Sequence, residues 1–148
     1  MSAIADSALR AAVVSSPPSK GLRIGLWVAQ AVLALVFAMA GFLKVAKSLA
    51  DISQSVPFVA TMPGALVRFI GASELAGAVG LILPALTRIK PVLTAWAGVG
   101  LAAVMVLAAL FHLSRGEVDH LPVTVVLGGI AAFIAWGRFR GAPIRGRV

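Results

Sequence analysis

Residues 24–43 read IGLWVAQAVLALVFAMAGFL, a run without a single charge. A helix rises 1.5 Å per residue, so about 20 apolar residues match the roughly 30 Å hydrocarbon core of a bilayer. Trp27 lies near one end, where an indole suits the water–lipid interface, and Lys44 closes the other. The run is a transmembrane helix, and it sets the reading of the whole chain.

Three further apolar runs follow, at about 64–86, 92–113 and 120–137, behind the first at about 24–44. The fold expected is therefore all-α, a bundle of four transmembrane helices. Of the 148 residues 60% are hydrophobic and 12% charged, more apolar than the usual soluble domain. Residues 1–20 carry a Ser-Ser-Pro-Pro-Ser stretch and are too polar and small to order themselves, which predicts a flexible N-terminal tail. Residues 21–138 make the membrane domain and 139–148 a basic C-terminal tail. Within the domain, 45–63 is a mixed loop punctuated by Pro57 and Pro63, expected to be partly helical. Asp119 is a plausible N-cap for the fourth span.

The net charge of +8 does not form one basic face, so no nucleic-acid partner is expected. The basic residues flank the apolar runs instead. Arg10, Lys20, Arg23, Arg88, Lys90, Arg138, Arg140, Arg145 and Arg147 fall on one side of a four-span chain, and Lys44, Lys47 and Arg115 on the other. The positive-inside rule then predicts that both termini are cytoplasmic. The chain has no cysteine, which excludes disulfides, thiolate metal sites and iron–sulfur clusters.

The second span is the unusual one. It holds Arg68 near its start and Glu74 close to its middle, about 6 and 15 Å from Gly64 by helical rise. A carboxylate at that depth is costly unless it is paired, neutralised or hydrated. Glu74 either fixes helix packing or serves a ligand or a proton in a cavity. Lys44 is an end-of-helix anchor or, alternatively, the counter-charge to Glu74. Arg68 reads as a side chain snorkelling to the interface. His112 and His120 flank the hairpin of residues 113–119 and are read as facing headgroups and water, with no metal site expected. The candidate ligand or ion-pair residues are thus Glu74, Lys44, Arg68 and His112, with no catalytic residue assigned. Arg115, Glu117 and Asp119 form a solvated charged hairpin. Ala72, Ala76 and Gly80 fall four apart, and with Gly71 and Gly77 they offer a thin surface for helix packing.

The string Gly41-Phe-Leu-Lys44, then Gly71-Ala-Ser-Glu74-Leu-Ala-Gly77-Ala-Val-Gly80, then Phe111-His112-Leu113 before Gly116-Glu117, resembles the DoxX-like family of small bacterial membrane proteins. The resemblance covers about residues 24–138 and implies a four-helix bundle, with the family's lysine and glutamate carried by Lys44 and Glu74. It implies a setting near terminal quinol oxidases, thiosulfate–quinone oxidoreduction or oxidative-stress partners; more distant relatives resemble chaperones or cargo receptors. The absence of cysteine disfavours a thiol relay.

These readings lead to an accessory or binding subunit of a larger, redox-linked membrane complex, multi-pass in the bacterial plasma membrane, with no catalytic activity of its own. Its expected partners are the lipid bilayer and other membrane subunits or further copies of itself. It has no cofactor of its own, though a quinone or lipid could be bound. Two alternatives stand beside it. One is a quinone- or lipid-binding oxidoreductase component using Glu74 and Lys44; the other is a small transporter, for which intramembrane charge is the usual marker.

Overall fold

A computed structural model describes residues 17–147. The tail expected over 1–20 lies largely outside the described residues. Where it enters them it is shorter than expected, because the first helix already begins at Lys20. Ser19 is its N-cap: the Leu22 N–H donates to the Ser19 hydroxyl at 3.2 Å, satisfying one of the amides that a helix start leaves unpaired.

The described residues form α1 (Lys20–Ala46), a short α2 (Leu49–Ser55), a 3-10 turn (Pro57–Thr61), α3 (Gly64–Thr87), α4 (Val92–Ser114), a second 3-10 turn (Val118–His120), α5 (Leu121–Trp136) and a π-helical turn (Gly137–Gly141). Among them are four helical segments long and apolar enough to cross a membrane: Lys20–Ala46, Gly64–Thr87, Val92–Ser114 and Val118–Gly141. Asp119 does not cap α5. It sits inside the second 3-10 turn, and the N-cap position falls to His120, which makes no side-chain capping bond.

Successive long helices run antiparallel. One end of the bundle gathers the start of α1, the α3–α4 turn and the residues after α5; we call it the tail end. The other gathers α2, both 3-10 turns and the α4–α5 hairpin; we call it the loop end. α3 packs along α1 and α4, and α4 along α5, while α1 and α5 meet less closely. Leu33, Phe37, Leu81, Leu101 and Ile134 form the centre of the core. A smaller cluster of Ile52, Val59 and Val67 seats α2 and the first 3-10 turn on the start of α3.

Most of the remaining apolar surface points outward. Ile24, Leu35, Phe69, Leu107 and Val125 are all exposed, which in water would be prohibitive and in lipid is the expected face. Between helices the drive is close packing, and small residues supply it. A Cβ on Gly41 would lie 2.6 Å from the Gly71 carbonyl oxygen, so the α1 and α3 backbones touch. Gly98 meets the α5 backbone at Ala131 and Ala135 in the same way. Gly77 and Gly80 receive Leu101 and Ala97 of α4. The evenly spaced stripe read from the sequence is therefore not one surface. Ala72 and Ala76 are exposed, and the glycines divide between two neighbours, Gly71 toward α1 and Gly77 and Gly80 toward α4.

A polar tie closes the tail half. Gln30, fully buried in α1, donates from Nε2 to the Leu81 carbonyl of α3 and accepts from Arg138 Nε at 2.6 Å. Arg138 also stacks over Trp27, 5.2 Å from the ring centroid, and donates to the Ala142 carbonyl at 3.3 Å. This corrects the reading of Arg138 as only a topology signal at the membrane edge. Its side chain is directed into the bundle, where the π-helical turn carries it.

Two stability predictions follow from this packing. Gly71→Val should lower bundle stability by about 1–3 kcal/mol through overpacking, whereas Ala72→Val should change it by less than about 0.5 kcal/mol; equal effects in detergent unfolding would contradict the assigned faces. Gln30→Leu keeps the volume but strands the Arg138 Nε–H, and should cost about 1–3 kcal/mol, against a near-neutral Arg140→Ala on the exposed neighbour.

Candidate functional site

Lys44 occupies the last turn of α1 and Glu74 the middle of α3. Their side chains meet: Lys44 Nζ donates to both carboxylate oxygens of Glu74, at 2.7 and 2.9 Å. Glu74 is only 4% exposed. Of the two readings of Lys44, the geometry is that of the counter-charge. The approach depends on Gly71, because the Lys44 stem crosses directly over it. A Cβ there would stand 2.7 Å from Lys44 Cβ. Arg68 does not join the ion pair. Its guanidinium donates to the Lys44 backbone carbonyl, one of the acceptors left open at a helix C-terminus. Arg68 therefore fixes the end of α1 from α3.

The pair lines an open cavity of about 560 Å³ bordered by all four long helices in the loop half of the bundle. Its walls are apolar, with Phe37, Ile70, Ala108 and Leu127 contributed by α1, α3, α4 and α5 in turn. Lys44, Glu74, His112, Asp119 and His120 supply the charged and imidazole groups on its surface. The division between packed and open halves follows the small residues. Where Gly77, Gly80 and Gly98 let the helices touch, the interior is filled.

His112 is buried at 5% exposure, which corrects the expectation that it faces headgroups and water. Its Nδ1 lies 2.8 Å from Glu117 Oε2, while Arg115 Nε donates to the other carboxylate oxygen at 2.7 Å. The Arg115 guanidinium, and after it His112, hold the Glu117 carboxyl below the usual carboxylate range. His120 remains exposed, but its ring stacks on that of His112, with centroids 4.6 Å apart and planes 11° from parallel. The hairpin read as merely solvated thus turns one carboxylate back onto a buried imidazole. Glu117 and Arg138 were the residues the sequence reading undervalued. Five positions separate His112 from Glu117 across a helix end, which hides their contact. For Arg138 a signal existed: Gln30 is a lone amide in an apolar helix, and such a group demands a partner.

A model of the DoxX-like family matches residues 28–134, from within α1 to within α5. The chain belongs to the DoxX-like family. Neither a curated protein nor a solved structure gives a significant match. The match takes in Lys44, Glu74, His112, Glu117 and His120 but leaves Arg138 outside it. This DoxX-like protein is accordingly a small integral membrane protein of the multi-pass type.

The ion pair gives a direct test of its own geometry. Lys44→Ala should destabilise the bundle by about 3–5 kcal/mol, because it leaves an unpaired carboxylate inside. Lys44→Met combined with Glu74→Leu should lose much less. A double-mutant cycle measured by unfolding in detergent should give a coupling of about 0.5–3 kcal/mol, and zero coupling would dissolve the pair.

Proposed function

We propose that this DoxX-like protein is an accessory subunit of a redox-linked complex in the bacterial plasma membrane, and that it holds a lipid-soluble amphiphile of the quinone class for that complex. The observation that carries the reading is the cavity: about 560 Å³, lined by apolar side chains from all four long helices, with the Lys44–Glu74 ion pair on its wall. That volume lies within the usual range for small-molecule sites, where apolar walls provide affinity and a few polar groups set orientation.

The ion pair suits a ring that alternates between carbonyl and hydroxyl forms. Lys44 Nζ is a donor for a carbonyl oxygen, and Glu74 is an acceptor for a hydroxyl. A ligand can exchange hydrogen bonds with the pair without leaving a bare charge in the interior, because each partner keeps the other. The isoprenoid or acyl part of such a molecule matches the walls. With both termini on the cytoplasmic side, as the charge distribution favours, the cavity belongs to the outer half of the bilayer. In this reading the protein binds and presents the molecule, and the partner complex performs the electron transfer.

Gentle extraction of the full chain, followed by mass spectrometry of retained lipids and proteins, tests both halves of the proposal. A quinone should be enriched over bulk lipid to near one per chain, together with at least one further membrane protein. Ala108→Phe, which fills the cavity, should reduce quinone retention about tenfold while the protein still unfolds cooperatively. Retention unchanged by Ala108→Phe, or no enriched amphiphile, overturns the ligand; a sample containing only copies of this chain overturns the accessory role.

A further inference from the structure

The chain contains two histidines, and the fold brings both to one place. His112 closes on Glu117 from the last turns of α4, and His120 reaches the same point from the 3-10 turn that starts the fourth span. One ligand atom from each of His112, Glu117 and His120 can be chosen so that all three lie within 4.8 Å of one another. We propose that His112, Glu117 and His120 form a binding site for a divalent transition-metal ion of the zinc class, at the loop end of the bundle beside the cavity.

Two imidazoles and one carboxylate are a donor set that borderline divalent ions accept, and three protein ligands leave a coordination position open for water or another molecule. At bond lengths near 2.1 Å, neighbouring ligand atoms of a tetrahedral site stand about 3.4 Å apart. His112 Nδ1 and Glu117 Oε2, now bonded to each other at 2.8 Å, need to part by only about half an ångström to admit an ion between them. The third ligand is the one with freedom to move, since His120 is exposed and ends a turn of three residues. Rotation of its ring out of the stack with His112 closes the set. The surroundings are those of a supported site. Arg115 holds the second oxygen of Glu117, which leaves Oε2 directed at the imidazole. Burial fixes the His112 ring. Orientation of ligands by groups behind them is a general requirement of metal sites. Two of the three ligands, His112 and His120, also line the cavity.

The site requires nothing of the quinone reading, and its test has a separate readout. Full-length protein carrying a tag without histidine is stripped with chelator in detergent and titrated with Co²⁺ or Zn²⁺. One ion per chain is expected. The Co²⁺ form should show the intense visible bands of a four- or five-coordinate nitrogen–oxygen site. His120→Ala, on an exposed residue that leaves the fold intact, should weaken binding about tenfold or more, and Glu117→Gln should do likewise. Asp119→Asn, outside the ligand set, should change affinity by less than threefold. Substoichiometric uptake, the weak spectrum of six-coordinate aqueous Co²⁺, or an affinity unchanged by His120→Ala would each overturn the site.

Discussion

The contact between Gly41 and Gly71 is the constraint on which the rest of the bundle depends. In lipid no hydrophobic drive pushes helices together, so their association rests on how closely backbones can pack. Two glycines facing each other let α1 and α3 touch at the backbone. Each lies one helical turn from a charge, Gly41 before Lys44 and Gly71 before Glu74. Since the helices are antiparallel, the two charges sit on opposite sides of the crossing. The lysine stem must pass over Gly71 to reach its partner, and a larger residue there would block the path. Packing and electrostatics are therefore one device, and the cavity wall inherits its polar group from it.

A bilayer interior offers no water to satisfy stray polar groups, so a buried one is costly unless the chain answers it. Glu74 and Gln30 are answered by different chemistry, whereas Thr94 Oγ1 and Arg138 Nη2 are left without a hydrogen-bond partner among the described residues. In the loop half a full ion pair is placed against a cavity. In the tail half a neutral amide mediates between a backbone carbonyl and a guanidinium, and an indole face covers the cation. The first arrangement leaves a surface on which another molecule can act. The second is built into the packed interior and joins three segments distant in sequence, α1, α3 and the turn after α5.

The four spans were legible because hydropathy is an additive property of consecutive residues, and 24–43 or 92–113 are long enough to cross the bilayer core without help from context. Glu74 was legible as costly, since depth follows from counting residues along one helix. Which group answers it was not, because Lys44 lies thirty positions away and its two readings look alike in sequence. The even spacing of Ala72, Ala76 and Gly80 misled for a related reason. Periodicity identifies a face but not its neighbour, and here only Gly80 of the three makes a close contact, the other contacts running through Gly71 and Gly77. Arg138 was obscured by company: among four C-terminal arginines, one turned inward by a π-helical turn is indistinguishable from those that remain outside.

That inward arginine has a mechanical consequence. Its bond to Gln30 fastens the far end of α5 to α1, while at the loop end these two helices border the cavity with no comparable tie. Since α5 otherwise packs along α4, this bond adds a third helix to the pair and braces the tail end as the fixed foot of the frame. The core around Leu33 and Leu81 is built on that braced frame, and the cavity lies toward the end away from it.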